Sequence, residues 1–169
     1  TISFTGTPTN TCPAAGNGQI AVSGVSGGTS PYTYSKDNGV NYQSGATFTG
    51  LAANTYQVVV KDANGCTSGP IAVVVGTFTP PGCSVSGADY VCNNSMGNVY
   101  NAPGGMSAYS WSISGNGSIP GSTAGQSVSV TAGAYLNTYT VSVTVTDANG
   151  CTSNCSKQSF IYLFTPPAN

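Results

Sequence analysis

Tyr139-Thr140-Val141-Ser142-Val143-Thr144-Val145-Thr146 alternates apolar and hydroxyl side chains and runs directly into Asp147-Ala148-Asn149-Gly150-Cys151. A period of two sends successive side chains to opposite faces of an extended chain, so the stretch predicts a strand with one buried and one wet face. The Asn149-Gly150 pair that closes it supplies the positive φ of a hairpin turn. This corner occurs twice. Asp62-Ala63-Asn64-Gly65-Cys66-Thr67-Ser68 returns unchanged as Asp147-Ala148-Asn149-Gly150-Cys151-Thr152-Ser153, and Phe78-Thr79-Pro80-Pro81 returns as Phe164-Thr165-Pro166-Pro167. The chain therefore reads as two repeated units. Because it opens on Thr1 without a basic-then-apolar leader, it reads further as an excerpt of a longer, processed polypeptide.

The same alternation spreads outward from that strand. Tyr109, Trp111 and Ile113 alternate with Ser110, Ser112 and Ser114, and Val128 and Val130 with Ser127 and Ser129. In the first unit Ile20 and Val22, Tyr32 and Tyr34, and Tyr56, Val58 and Val60 mark strands. They are separated by turn signals such as Gly27-Gly28, Asp37-Asn38-Gly39 and Asn64-Gly65. No stretch carries a helical period. The expectation is an all-β chain of two tandem antiparallel sandwiches, each of about seven strands. Residues 1–77 form the first domain, 78–82 a linker, and 83–169 the second domain, ending in another linker. Pro80 and Pro81 fix φ and remove backbone donors, which predicts a stiff connection. Phe78 and Phe164 either plug contacts between neighbouring domains or end each domain's core.

Composition excludes several functions. Charged residues make up 4% of the 169, with no His, and the formal net charge is −1; an ordinary globular domain carries about 25%. Three lysines, Lys36, Lys61 and Lys157, cannot form the basic footprint that nucleic acid requires. No apolar run approaches the roughly 20 residues of a membrane-spanning helix, so no membrane insertion by this segment is expected.

The six cysteines lack the close pairs and histidines of zinc sites, so they read as disulfides and imply an oxidising, extracellular setting. Cys12 and Cys66 are the cysteines of the first unit and are expected to pair. Cys83, Cys92, Cys151 and Cys155 allow three connectivities. Analogy between the copies favours Cys92 with Cys151 and Cys83 with Cys155.

Catalytic chemistry has little to draw on. Without His or Glu no Ser-His-Asp triad can be assembled, and Asp62 and Asp147 lie in different domains, apart from any glycosidase-like pair. No cysteine has an evident neighbouring cation and base. The chain is read as a non-enzyme without cofactor or resident metal. Asp62 with Asn64, and Asp147 with Asn149, resemble the start of a calcium loop, since a hard cation wants carboxylate and carbonyl oxygens on a tight turn; an Asn-Gly hairpin turn accounts for the same residues. Tyr34, Tyr56, Tyr109, Trp111 and Tyr139 fall on inward positions, and Tyr56 and Tyr139 suit a tyrosine-corner role. Tyr42, Tyr90, Tyr100 and Tyr135 remain as candidates for a ligand rim or an inter-chain contact, or as loop packing. Asn93, Asn116 and Asn154 head glycosylation sequons.

Cys12, Asn17-Gly18-Gln19-Ile20, Pro31-Tyr32-Thr33-Tyr34, Gly50-Leu51-Ala52, Thr55-Tyr56 and the Asp62–Cys66 corner together resemble the repeats of SprB-type adhesins, giant surface proteins of Bacteroidota. Tyr109-Ser110-Trp111-Ser112-Ile113, Gly115-Asn116-Gly117-Ser118-Ile119 and the Val141–Cys151 run are similar to PKD-like, immunoglobulin-like domains. The resemblance implies immunoglobulin-like sandwiches, type IX secretion and display at the cell surface. The expected function is a structural repeat of an extracellular adhesin or filament, serving adhesion, gliding or attachment to other cells. Its partners would be neighbouring repeats, further copies in a homo-oligomer or fibre, and surface glycans. The alternative is a carbohydrate-binding accessory module of a secreted enzyme.

Overall fold

The computed structural model describes residues 1–134 and 137–163. They are all-β and divide into two compact units, one up to Thr79 and the other from Pro80.

The first unit packs two three-stranded sheets face to face. One is ordered β1 (Ser3–Thr9), β2 (Gly18–Ser26), β4 (Thr47–Leu51), and the other β3 (Thr33–Ser35), β5 (Asn54–Lys61), β6 (Ile71–Val75). The inward residues of the two sheets meet: Ile20, Val22, Phe48 and Leu51 pack with Val58, Val60, Val73 and Val75. Burying each such side chain contributes about 1.5–3 kcal/mol. Tyr56 Oη donates to the Ala52 carbonyl at 3.0 Å, the upstream bond expected of a tyrosine corner.

The second unit has seven strands among its described residues. β8 (Asn98–Asn101), β10 (Gly117–Ser118) and β11 (Ser127–Ala132) form one sheet in the order β10-β11-β8. The other sheet comprises β7 (Tyr90–Cys92), β9 (Ala108–Gly115), β12 (Thr138–Thr146) and β13 (Thr152–Tyr162), in the order β7-β13-β12-β9. The strand read from Tyr139 to Thr146 is β12, the central rail of this sheet. It faces β9 from Tyr139↔Gly115 to Thr146↔Ala108 and β13 from Thr138↔Phe160 to Thr146↔Thr152, both antiparallel. β7 runs parallel to its neighbour β13, whereas the other strand pairs of the described residues are antiparallel. Tyr139, Val141, Val143 and Val145 are each at most 1% exposed and pack with Trp111, Val128, Val130 and Tyr100. Trp111 Nε1 donates to the Gly125 carbonyl at 2.8 Å, so the buried indole keeps a partner.

Tyr139 departs from the tyrosine-corner expectation. Its hydroxyl turns inward, 2.7 Å from Tyr100 Oη, and Tyr100 Oη lies 2.6 Å from Ser159 Oγ, which donates to the Ala88 carbonyl at 2.7 Å. Each hydroxyl has one proton, so with Ser159 donating to Ala88, Tyr100 donates to Ser159 and Tyr139 to Tyr100; Tyr100 Oη also lies 3.3 Å from the Ala88 carbonyl. Burial first, and Tyr100 second, push the Tyr139 phenol well above its ordinary value.

Candidate binding surface

The two repeated corners are backbone latches. Asp62 Oδ1 accepts the N–H groups of Asn64 and Cys66 at 3.0 and 2.8 Å, and Oδ2 accepts that of Thr29 at 3.0 Å. Asp147 Oδ1 accepts from Asn149 and Cys151 at 2.8 and 2.9 Å. Gly65 and Gly150 hold the left-handed φ of 85° and 80° that closes each turn. The N–H of Thr29, and then those of Cys66, Asn64 and Gly65, lower the Asp62 pKa below the ordinary Asp value against an opposing cost of burial. These carboxylates thus face N–H donors, and no group of three or more His, Cys, Asp or Glu that could hold a metal occurs among the described residues.

The cysteines depart from two of the three expected pairings. Cys83 and Cys155 are bonded, with Cα atoms 5.7 Å apart, tying the segment before β7 to β13. Cys66 and Cys92 are exposed free thiols, so neither Cys12 with Cys66 nor Cys92 with Cys151 is formed. Cys12 and Cys151 are buried, at 5% and 1% exposure, while Cys66 and Cys92 are exposed, so each expected pair joins one buried and one exposed cysteine.

The four tyrosines set aside by the sequence have different fates. Tyr100 is completely buried, which corrects its assignment to a contact rim: it occupies the inward position of β8 and is engaged by Tyr139 and Ser159. Tyr42 lines a shallow cleft with Tyr34, Lys36, Asp37, Asn41 and Gln43. The groups of that cleft largely satisfy one another. Lys61 Nζ sits 3.9 Å from the centre of the Tyr42 ring, while the Asp37 carboxylate accepts from the Asn41 N–H, the Ser35 hydroxyl and the Asn41 amide, which hold its pKa far below the ordinary carboxylate value. Tyr135 lies outside the described residues.

Tyr90 is exposed and has company. The parallel register of β7 on β13 sets Tyr90 opposite Phe160 and Cys92 opposite Tyr162. The Tyr90 ring lies 5.7 Å from Phe160 and 5.1 Å from Tyr162, tilted by 35° and 48°. All three rings are about half exposed, at 59%, 45% and 52%. Sequence reasoning missed Phe160 and Tyr162. The signal was the run Phe160-Ile161-Tyr162, apolar on both faces, which leaves the inward face undetermined until Ile161 is seen in the core, at 2% exposure.

Residues 79–160 match the PKD-like domain family. The stretch begins at the boundary of the second unit and covers β7 to β12 and most of β13. No curated protein matches the chain. Among solved structures, the chain is similar to the fibronectin(III)-like modules of CbhA from Clostridium thermocellum, at 16% identity over 96% of this chain and 94% of that one, with a TM-score of 0.39. It is also similar to domains 4–9 of the surface layer protein SbsC, at 14% identity over 100% of this chain and 31% of that one, with a TM-score of 0.41. A third is the SGBP-B protein of a Bacteroides ovatus mixed-linkage glucan utilization locus, in complex with a mixed-linkage heptasaccharide, at 16% identity over 90% and 42% of the two chains, with a TM-score of 0.24.

All three sequons fall within the PKD-like stretch. Asn154 is exposed on β13, where its Oδ1 accepts from Thr144 Oγ1 at 2.6 Å, and its neighbour Cys155 is in the disulfide. Asn93 and Asn116 are half-buried, and the Asn116 amide lies tightly against Gly133, where a Cβ would meet its Oδ1 at 1.9 Å. Asn154 is therefore the sequon asparagine most open to solvent.

Proposed function

We propose that the chain is a structural repeat of a large extracellular adhesin or filament, attached to a cell surface and associating with further repeats and further copies of itself. The observation that carries this reading is the long hydroxyl-bearing sheet of the second unit, locked by Cys83–Cys155 and nearly free of charge. Uncharged modules lack the long-range repulsion that keeps like proteins apart, so side-by-side association costs little electrostatically. A disulfide enclosing most of a domain limits how far that domain can extend under load. The PKD-like match and the disulfide support an extracellular setting.

Cryo-electron microscopy of native surface material from the producing cells tests the reading. A regular fibre in which this pair of units repeats, with several chains side by side, is the expected result. Isolated single chains, or the pair occurring once beside a catalytic domain, would overturn it.

A further inference from the structure

The outer face of the β7-β13-β12-β9 sheet combines two chemistries that the sequence keeps apart. Its centre is hydroxyl and amide: Ser112 on β9 faces Ser142 on β12, which faces Ser156 on β13, with Thr140 opposite Gln158 one step along. Its edge is aromatic, formed by Tyr90, Phe160 and Tyr162. The nearest charges cancel, because Lys157 Nζ is paired with the Asp89 carboxylate beside Tyr90. The backbone beneath the rings is fixed: the Phe160 N–H donates to the Asp89 carbonyl at 2.9 Å and the Asn93 N–H to the Tyr162 carbonyl at 2.8 Å.

A partner for this edge must be neutral, must present apolar C–H faces to a cluster of three rings in which Tyr90 neighbours both Phe160 and Tyr162, and must carry peripheral hydroxyls for the Gln158 amide and its neighbours. A pyranose chain has those properties: each sugar has an apolar face, its hydroxyls lie at the rim, and successive residues are spaced on the scale of the 5.1 and 5.7 Å between ring centres. Gln158 is available for such bonding, since its exposed amide makes a single long contact among the described residues, 3.5 Å to Thr138 Oγ1. A second protein fits less well. Aromatic side chains present about 150–250 Å² each, so three half-exposed rings offer on the order of 300 Å², against about 800 Å² per partner in a standard protein interface. The hydroxyls beyond them would not extend an apolar interface core.

We infer that Tyr90, Phe160 and Tyr162 form a stacking platform for a neutral, pyranose-based polysaccharide, with Gln158 bonding sugar hydroxyls at its border. The platform belongs to the second unit by itself and does not depend on whether the chain is part of a filament.

The test is affinity electrophoresis of the 169-residue chain through native gels containing mixed-linkage β-glucan, galactomannan or arabinoxylan, with anionic polygalacturonate as a control, alongside sedimentation velocity. The chain is expected to be retarded by at least one neutral polysaccharide and not by polygalacturonate. Single changes Tyr90→Ser, Phe160→Ser and Tyr162→Ser are each expected to weaken retardation roughly three- to tenfold, the scale of one lost ring contact. The triple change should abolish it, and Tyr42→Ser should leave it intact. Trp111 fluorescence reports whether each variant retains its fold; if the triple variant does not, the three single variants decide. Absence of retardation in all three neutral gels, or equal retardation of the ring variants, would overturn the inference. So would a wild-type dimer that the ring variants convert to monomer, because the rings would then be a protein contact.

Discussion

The corner at Asp62 and the corner at Asp147 are built from the same seven residues and make the same turn, yet the chain leaves them differently. After Asp147 the second strand starts at once: Thr152 pairs with Thr146 and the ladder continues unbroken to Phe160↔Thr138. After Asp62 the ladder breaks. Lys61 faces Thr67, but Val58 faces Ile71, so one extra residue is absorbed across Ser68-Gly69-Pro70. Pro70 has no N–H to donate, and Ser68 replaces the regular pairing, its Oγ accepting from the Val60 N–H at 2.9 Å. The corner at Asp62 is also tied to a distant loop, because Thr29 donates its N–H to Asp62 Oδ2 and accepts at its carbonyl from Ala63. The corner at Asp147 is instead tied by Ser107, whose hydroxyl donates to the Asp147 carbonyl at 2.6 Å. Identical sequence thus fixes the turn, while the residues just beyond it and the loop folded against it decide how the turn is used.

The largest expected break in this comparison comes from the disulfide, which the first unit's corner strand lacks. Cys83→Ser with Cys155→Ser opens a loop of 72 residues, a loss of about 4 kcal/mol in the chain-entropy model. Trp111, the single tryptophan, follows unfolding of the second unit alone, and its denaturant midpoint should fall accordingly.

A smaller effect is expected from Tyr100→Phe. It removes the middle of the hydroxyl chain, leaving Tyr139 without its acceptor and Ser159 without its donor, and should cost about 1–3 kcal/mol by the same fluorescence. A variant as stable as wild type would mean that the network contributes nothing to the fold.

The smallest effects sharpen the corners themselves. Asp62→Ala should lower the melting temperature of its unit by about twice the shift that Asp147→Ala produces in the other, because three rather than two N–H groups lose their acceptor and Asp62 is the more buried. The pH dependence follows the same carboxylate. Asp62 and Asp37 ionise below the ordinary Asp value of 3.8 in the folded chain, so their contribution is present above pH 4 and is lost as pH falls through their lower folded values. Protection of the Thr29 and Cys66 amides, followed by exchange across pH 5 to 2, should decline only below pH 4 and should be insensitive to pH in Asp62→Ala.

Much of the fold was legible. Alternation placed β2, β5, β9, β11 and β12 and their inward faces, because a half-buried strand imposes a period of two that its residues must satisfy. Tyr32 fell outside β3, whose strand spans only Thr33–Ser35. The surface was less legible. Tyr100 read as a loose ring because its strand is only four residues long, too short for alternation to show, and Phe160 and Tyr162 were hidden in a stretch apolar on both faces.

Sequence by itself determined the strands, the two Asn-Gly corners and the carboxylate that latches each, since these depend on contacts within a few residues and on the conformational freedom of glycine. It also determined the near absence of charge. Tertiary structure alone decided which cysteines are buried and which are exposed, so that Cys66 is a thiol at the surface while Cys151, its counterpart in an identical heptapeptide, is buried. It alone brought Tyr90 onto Phe160 and Tyr162, because parallel pairing joins strands that are far apart in the chain and no local pattern records the register between them.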